Sequence, residues 1–154
     1  GLAAVQVVNL LKYLPTSADT QVAKLLAQLG YPQDLELFKE RLEYFVKLPG
    51  YGVAIASENE IIVGLVAWSK SMCFVNNKTR VRIEALVVDS EHRQKGVGEK
   101  LMNFVEDFAI QFSPCIIELT SGARRRQDGS HDFYDKIGYK NVGDTEKIYL
   151  RKEV

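Results

Sequence analysis

The segment best suited to chemistry is a glycine-containing turn between an apolar strand pattern and an amphipathic helix pattern. In this turn Gly96 follows Arg93 after two intervening residues, and Gly98 follows Gly96 after one. Glycine lets a backbone approach a ligand with no side chain in the way. The free N–H groups of a helix start, helped by the helix dipole, bind phosphate oxygens. With the positive charges of Arg93 and Lys95 beside it, this turn is suited to a pyrophosphate.

The glycine spacing has other interpretations. A dinucleotide-binding fingerprint requires a third glycine where Leu101 stands, and a Walker loop requires a Gly-Lys-Ser/Thr run that the sequence lacks. A glycine-rich helix start without any ligand is also common, because short glycine motifs are weakly specific. Spacing alone therefore leaves two possibilities, a pyrophosphate site or a bare helix start.

Two motifs follow one another along the chain. The first joins the run Glu-Ala-Leu-Val-Val-Asp at residues 84–89 to the glycine turn, and the second is the run from His131 to Tyr139. They resemble the R/Q-x-x-G-x-G/A signature and the closing F-Y-x-x-x-G-F/Y motif of the GNAT superfamily of acetyl-CoA-dependent N-acetyltransferases. The order of strands and helices is similar to that family over essentially the whole chain.

The resemblance implies that acetyl-CoA is the co-substrate and that its pantetheine arm lies between two splayed parallel strands. Those strands would be residues 84–88 and 115–120, with the pyrophosphate on the amides of residues 94–99. One departure is that Gln127 stands where the family commonly has Asn. The residues that the resemblance assigns to the cofactor are Leu86, Val87, Val88, Arg93, Gln94, Lys95, Gly96, Val97, Gly98, Glu99, Gln127 and Phe133.

The resemblance also implies two catalytic residues. Attack of an amine on a thioester requires that a proton leave the ammonium and that a proton reach the departing thiolate. Glu84 stands where many family members carry the general base, and burial would raise the pKa of a carboxyl group there. Glu84 could instead face solvent or only bind the charge of the substrate. Tyr134 matches the tyrosine that faces the thioester sulfur, and its alternative role is core packing with Phe133.

Hydrophobic periodicity predicts the elements that position these residues. The predicted strands are 5–11, 51–57, 61–74, 79–88, 115–119 and a terminal strand from Tyr139, and the helical apolar positions span 22–29, 35–46, 97–112 and 133–137. Gly64 indicates a bulge within its strand. We expect one domain over residues 1–154, a mixed α/β (α+β) fold. Its central twisted sheet has about six to seven strands, flanked by about four helices.

Composition excludes several classes of protein. Lys plus Arg and Asp plus Glu both count 20 in 154 residues, and zero net charge argues against a nucleic-acid binder. Cys73 and Cys115 form no CxxC pair, which predicts a reducing, cytoplasmic location. Both cysteines lie in apolar runs, where buried and unreactive thiols are common, and this disfavours an acetyl-cysteine route. We therefore expect direct transfer in a ternary complex. Two separated histidines predict no metal, and no apolar run reaches the length of a membrane span.

The acceptor amine is not identified by the sequence. The resemblance implies a pocket built by the first two helices and the strand hairpins, here near Tyr31, Phe38, Trp68, Phe74 and Tyr139. We expect a small amine in preference to a peptide, and no nucleic-acid or membrane partner. The resemblance also implies that the chain can form a homodimer. The alternative function is a non-catalytic acyl-CoA-binding module of the same fold.

Overall fold

The apolar patterns become strands and helices close to their predicted positions. The structure, a computed structural model, describes residues 5–12, 17–121, 129–142 and 149–154. Its elements are β1 (Gln6–Asn9), α1 (Ala18–Leu29), α2 (Leu35–Phe45), β2 (Gly52–Glu58), β3 (Ile61–Met72), β4 (Thr79–Val88), α3 (Val97–Ile110), β5 (Cys115–Glu118) and α4 (Ser130–Lys136). The chain divides into two compact units, Gly1–Leu119 and Thr120–Val154, and α4 is the one helix or strand of the described residues that belongs to the second.

The strands of the first unit form one five-stranded sheet in the order β1-β2-β3-β4-β5. The first three pairings are antiparallel, and β4 pairs with β5 in parallel. A parallel pair needs a long crossover, and α3 supplies it between β4 and β5. The predicted mixed α/β fold is confirmed, and the described residues form five strands, slightly fewer than the six to seven expected.

The predicted terminal strand from Tyr139 falls only partly on described residues. No strand lies in the described residues that follow Tyr139, namely residues 140–142 and 149–154. Their apolar side chains Val142, Tyr149 and Leu150 are exposed. A strand gains stability by burying one face against neighbours, and these side chains have no such burial. The middle of the predicted strand, residues 143–148, lies outside the described residues.

Helices cover both faces of the sheet. Leu65 of β3 is buried in a cluster with Val22 of α1 and Phe38 of α2. At the preceding position, a Cβ on Gly64 would lie 3.1 Å from Leu101 of α3. Because successive strand side chains point to opposite faces, α1 and α2 cover one face and α3 covers the other. Burial on both faces explains the nearly continuous apolar runs of β2 and β3.

A tight bend separates α1 from α2, as the Gly-Tyr-Pro run predicts. Gly30 ends α1 in the left-handed conformation with φ 107°, and the amide of Tyr31 donates to the carbonyl oxygen of Leu26 at 2.9 Å. Asp34 begins α2, because its side chain accepts a hydrogen bond from the amide of Leu37 at 3.1 Å. The two helices thereby lie side by side on one face of the sheet.

The bulge indicated by Gly64 is present beside it. Ala56 of β2 pairs with Gly64, whereas the next residue, Ser57, pairs with Ile62, so that Val63 is the extra residue. The absence of a side chain at Gly64 lets the first turn of α3 approach β3 closely. The helix that begins at the glycine turn is therefore held tightly on the sheet.

Candidate active site

Glu84 is the extra residue of a second bulge, in β4. Ala67 of β3 pairs with Ala85 and Trp68 pairs with Ile83, which leaves Glu84 without an opposite residue. The Trp68 pair faces α3, whereas the Ala67 pair packs on the cluster of α1 and α2. A bulge re-aims the side chains beside it. Here Glu84 and Ala85, although adjacent, line the same cavity.

The Glu84 carboxylate is held but not buried. The hydroxyl of Ser69 donates to its Oε1 at 2.7 Å, and the Nε of Arg82 lies 4.0 Å from the same oxygen. The side chain is 40% exposed. The expected burial is wrong, because the bulge lies beside an open cavity. Within the described chain, no hydrogen bond reaches Oε2, so this oxygen can bind water or an amine.

A cavity of about 190 Å³ opens between α1, α2 and the sheet. It lies entirely within the first unit and is almost wholly apolar. The charged side chains on its wall are Arg41 and Glu84. The lining residues are Val22, Leu26, Phe38, Arg41, Leu42, Phe45, Val53, Leu65, Ala67, Glu84 and Ala85.

Not all of the aromatic residues expected around an acceptor line the cavity. Phe38 lines the cavity. Trp68 instead stacks on Phe108 of α3, on the opposite face of the sheet, because its strand position points that way. Phe74 is fully exposed at the β3–β4 turn, and Tyr31 is exposed after α1. Sequence reasoning did not single out Arg41, although it lies one position before Leu42 on the apolar pattern of α2.

Strand β4 has an open edge beyond Arg82. The parallel partner β5 pairs with β4 only from Thr79 to Arg82, which faces Glu118. From Ile83 to Val88, β4 continues alone on that side among the described residues, while β3 pairs with its other edge. Backbone N–H and C=O groups on this edge can bind an extended ligand, as in strand addition. Leu86, Val87 and Val88 lie on this free part of β4.

The glycine turn forms a helix start with free amides. Gly96 is the N-cap of α3 with φ 80°, and Gln94 also has a positive φ of 64°. The amide of Lys100 donates to the carbonyl oxygen of Gly96 at 3.1 Å. The amides from Gly96 to Glu99 precede that bond and have no carbonyl acceptor within the helix. Four N–H groups therefore gather at the positive end of the helix dipole.

The surroundings of the turn leave room for an anion. A Cβ built on Gly96 meets no atom within 4 Å, so the space beside it is open. Arg93, Gln94 and Lys95 are exposed, whereas the side chain of Val97 is buried and only its backbone can face a ligand. The Nε of Arg93 donates to the carbonyl oxygen of Val88 at 3.3 Å, so its guanidinium lies at the end of β4. The residues therefore fit a pyrophosphate.

A side-chain network that the sequence did not reveal anchors the turn. Gln28 of α1 donates to Asp89 at 2.8 Å and accepts from the amide of Ser90 at 3.0 Å. The Nδ1 of His92 lies 2.8 Å from Asp89, and its Nε2 lies 3.7 Å from Glu58. The hydrogen bonds from Gln28 and His92 lower the pKa of Asp89. No local sequence pattern indicates this network, because Gln28 lies 61 residues before Asp89 in the chain.

The second unit carries the closing motif. Phe133 and Tyr134 lie in α4 with ring centroids 5.2 Å apart, and Tyr134 also stacks edge-on with Tyr139 at 6.2 Å. The amide of Tyr139 donates to the carbonyl oxygen of Tyr134 at 2.9 Å. Gln127 lies outside the described residues. Tyr134 is thus part of an aromatic group, in keeping with the packing role weighed for it.

The cysteines are poorly suited to nucleophilic chemistry. Cys73 is buried, and burial raises the pKa of the Cys115 thiol. A thiolate is the reactive form, so a raised pKa disfavours an acetyl-cysteine. The described part of the chain contains no group of three His, Cys, Asp or Glu side chains that could hold a metal. Among the described residues, no helix is both long and apolar enough to cross a membrane.

Known proteins show where this architecture occurs. The family model of the acetyltransferase (GNAT) family matches residues 20–139. The uncharacterized N-acetyltransferase YhdJ of Bacillus subtilis strain 168 is 28% identical over 131 residues, which cover 84% of this chain and 87% of YhdJ. A GNAT family acetyltransferase from Staphylococcus aureus has a TM-score of 0.75 and 25% identity, with 98% of this chain and 99% of that chain covered.

A further solved structure shares the fold. AAC(6')-Iy, in complex with the bisubstrate analog CoA-S-monomethyl-acetylneamine, has a TM-score of 0.78 and 15% identity, covering 98% of this chain and 99% of its own. At that identity the likeness concerns the fold alone. The family match spans strands β2 to β5, the glycine turn and the closing motif at residues 131–139. The chain therefore belongs to the GNAT family of acetyltransferases and is an acetyl-CoA-dependent acyltransferase.

Proposed function

We propose that the chain transfers the acetyl group of acetyl-CoA to a small primary amine by direct attack in a ternary complex. The observation that supports this most is the succession along residues 84–99. A cavity-lining carboxylate comes first, then a strand edge without a partner, then a helix start with free amides. The carboxylate can bind the amine, the strand edge can bind the arm that carries the thioester, and the helix start can bind the pyrophosphate.

The donor would lie along β4 and the glycine turn. The backbone of Leu86, Val87 and Val88 offers hydrogen bonds to the pantetheine arm, and the amides of residues 94–99 offer them to the pyrophosphate. Arg93 and Lys95 add positive charge beside it. Acetyl-CoA, when bound, supplies an acetyl group activated as a thioester. Phe133 and Gln127 are assigned to the cofactor from the family resemblance alone.

Glu84 is proposed to take the proton that the attacking amine loses. Its half-exposed carboxylate touches the acceptor cavity, and its Oε2 is open to a water or an ammonium group. A base must reach the proton directly or through one water, and this position allows both. Tyr134 is proposed to donate a hydrogen bond or a proton to the departing thiolate. The raised pKa of Cys115 supports direct attack over an acetyl-cysteine route.

The broader expectations remain proposals as well. A small amine is preferred over a peptide because the cavity of about 190 Å³ is small and largely apolar. A homodimer and a cytoplasmic location remain expectations from the sequence. The absence of a metal from the reaction and the organisation as a single domain also stay predictions.

Calorimetric titration of acetyl-CoA tests the donor site. Gly96→Val puts a side chain into the open space beside the turn, where the pyrophosphate would approach. The matched control is Gly30→Val, because Gly30 also has a positive φ and open space around it, but ends α1. We expect affinity to fall at least tenfold for Gly96→Val only. Equal affinity in both folded variants would remove the turn from the site.

A further inference from the structure

The cavity beside Glu84 carries two opposite charges in an apolar wall. Glu84 supplies the negative charge, and Arg41 of α2 supplies the positive one. We propose that the acceptor is an apolar α-amino acid or a close analogue. Its ammonium would lie at Glu84, its side chain in the apolar cavity and its carboxylate on Arg41. This inference rests on the proposed function, because it takes Glu84 to face the reacting amine.

Arg41 is held in place without being neutralised. Its guanidinium stacks over the ring of Phe38 at 5.2 Å from the centroid, and its Nη2 donates to Gln33. Among the described residues, no carboxylate lies within ion-pair distance of Arg41. A guanidinium has five N–H donors in a rigid fork, so most remain free for a ligand. Such a fork binds a carboxylate in a bidentate way.

The apolar wall limits what can fill the rest of the cavity. Apart from the two charged residues, the lining comes from apolar side chains such as Phe38, Phe45 and Leu65. An apolar cavity of about 150 Å³ elsewhere holds a benzene-sized molecule, and this one measures about 190 Å³. A side chain the size of leucine or phenylalanine therefore fits. A polyamine would bring several positive charges to a wall with a single carboxylate, and burying an unpaired charge is costly.

The reaction on such an acceptor is balanced by the groups already described. The ammonium loses a proton to Glu84 or to water, and a nitrogen–carbon bond forms to the acetyl group. The carbon–sulfur bond breaks, and the second proton that the nitrogen loses is balanced by the proton that the thiolate of CoA takes up. The product is an N-acetyl amino acid that keeps its carboxylate. Arg41 would bind this carboxylate before and after transfer, so it determines specificity without touching the reacting atoms.

Matched amine pairs test the proposal. L-leucine and 3-methylbutylamine share an apolar body and differ by the carboxylate, as do L-phenylalanine and 2-phenylethylamine. We measure CoA release from acetyl-CoA with each amine, and expect kcat/KM to be at least tenfold higher for the amino acid of each pair. In Arg41→Ala this preference should fall by roughly tenfold or more, because a charged hydrogen-bonded pair is lost.

Two further variants separate charge from structure. Arg41→Lys keeps the positive charge and should recover part of the preference. Lys39→Ala removes an exposed cation from the same helix, away from the cavity, and should leave the preference unchanged. In Arg41→Ala we expect the loss to lie in KM for the amino acid. Thermal melts of each variant report whether α2 has stayed folded.

The inference and the proposed function fail in different ways. Equal kcat/KM for both members of each pair, or an unchanged preference in Arg41→Ala, overturns the amino-acid assignment. CoA release with a polyamine or a peptide, but with no amino acid, overturns it too. If the protein releases no CoA with any amine, titration of L-leucine into the CoA-saturated protein decides, since absence of binding contradicts the assignment. Absence of acetyl-CoA binding would contradict the proposed function itself.

Discussion

A single extra residue in β4 decides where Glu84 lies. Without the bulge, strict alternation would give Glu84 and Ala85 opposite faces of the sheet. With it, both residues line the cavity between α1, α2 and the sheet. The hydroxyl of Ser69 then orients the carboxylate from the neighbouring strand. Chemistry at Glu84 thus depends on strand register as much as on residue type.

Replacing Glu84 by Gln should change how the rate of acetyl transfer depends on pH. Glu84→Gln keeps the size of the side chain and an oxygen for Ser69, but removes the group that takes a proton. We expect turnover to fall about a hundredfold. The loss should be largest at low pH, where less amine is already neutral, and should shrink as pH rises. Profiles of kcat/KM against pH for both proteins measure this.

The matched control for this experiment is Glu43→Gln. Glu43 is an exposed acid of α2 that pairs with Lys47 at 3.3 Å and lies outside the cavity wall, so its profile should follow the wild type. A uniform loss in Glu84→Gln at every pH would assign Glu84 to binding the substrate's charge. An unchanged profile would remove it from the reaction.

Tyr134→Phe tests the proposed proton donor. The substitution keeps the ring contacts with Phe133 and Tyr139 and removes only the hydroxyl. A phenol with a pKa of about 10 can protonate a thiolate, although it is not a strong acid for it. We expect turnover to fall at least tenfold, equivalent to about 1.4 kcal/mol, with little change in acetyl-CoA affinity or melting temperature.

Kinetics and melts on the same preparation distinguish the two roles of Tyr134. Tyr149→Phe removes the hydroxyl of an exposed tyrosine in the same unit and serves as the control. Full turnover in Tyr134→Phe would mean that the thiolate leaves without its help. A large drop in stability would instead identify Tyr134 as a packing residue.

At the scale of elements, the sheet positions the site by clamping α3. Trp68 of β3 stacks on Phe104 at 5.9 Å and on Phe108 at 5.5 Å. Across the strand pair, a Cβ on Gly52 of β2 would lie 2.3 Å from the indole ring. The ring cannot move away without disturbing α3. Position 52 of β2 therefore has no room for a side chain as long as Trp68 packs against α3.

Gly52→Ala should consequently destabilise the protein. Overpacking of this kind costs about 1–3 kcal/mol, and denaturant unfolding measures it. Gly30→Ala measures a different cost, because its added Cβ meets no atom within 4 Å and introduces backbone strain of about 1–2 kcal/mol at φ 107°. An unfolding free energy of Gly52→Ala equal to that of the wild type would contradict the view that Trp68 is fixed.

The sequence predicted elements better than it predicted pairing. The start of α3 at Val97 is confirmed because glycine and apolar periodicity both act locally. The bulge at Glu84 depends on which residues of β3 lie opposite, and no local pattern carries that information. The same ambiguity placed Trp68 near the acceptor, whereas it faces α3. Arg41 was not predicted because a lone charge beside an apolar stripe is usually only a solvated residue. Arg41 is indeed exposed, but it also lines the cavity.

At the scale of the whole molecule, one hydrogen-bond network joins α1, which lines the cavity, to the glycine turn before α3. Gln28 of α1 binds Asp89 and Ser90, and His92 continues the network to Glu58 of β2. The wall of the cavity and the turn before α3 are thereby tied together within the first unit. Hydrophobic periodicity predicted the order of the strands and helices, but it could not predict this link between distant residues of the chain.

Acid should weaken this link. The hydrogen bonds from Gln28 and His92 lower the pKa of Asp89 below its usual 3.8. A lowered folded-state pKa adds stability that is present above pH 3.8 and is lost as pH falls through the folded value. Gln28→Ala should therefore cost about 1 kcal/mol at neutral pH, and less in strong acid.

Unfolding free energies across this pH range measure the effect. Lys24→Ala, an exposed substitution on the same helix, should show no such pH dependence. A Gln28→Ala deficit that stays constant or grows as pH falls through 3.8 would contradict the role assigned to Asp89.

Two-substrate kinetics test direct acetyl transfer most directly. The rate of CoA release is measured while acetyl-CoA and an accepted amine are varied independently, and the acetylated amine is quantified by mass. We predict intersecting double-reciprocal lines, one CoA released per acetylated amine, and no acetylated protein after incubation with acetyl-CoA alone. Parallel lines, together with an acetyl group on Cys73 or Cys115, would contradict attack in a ternary complex.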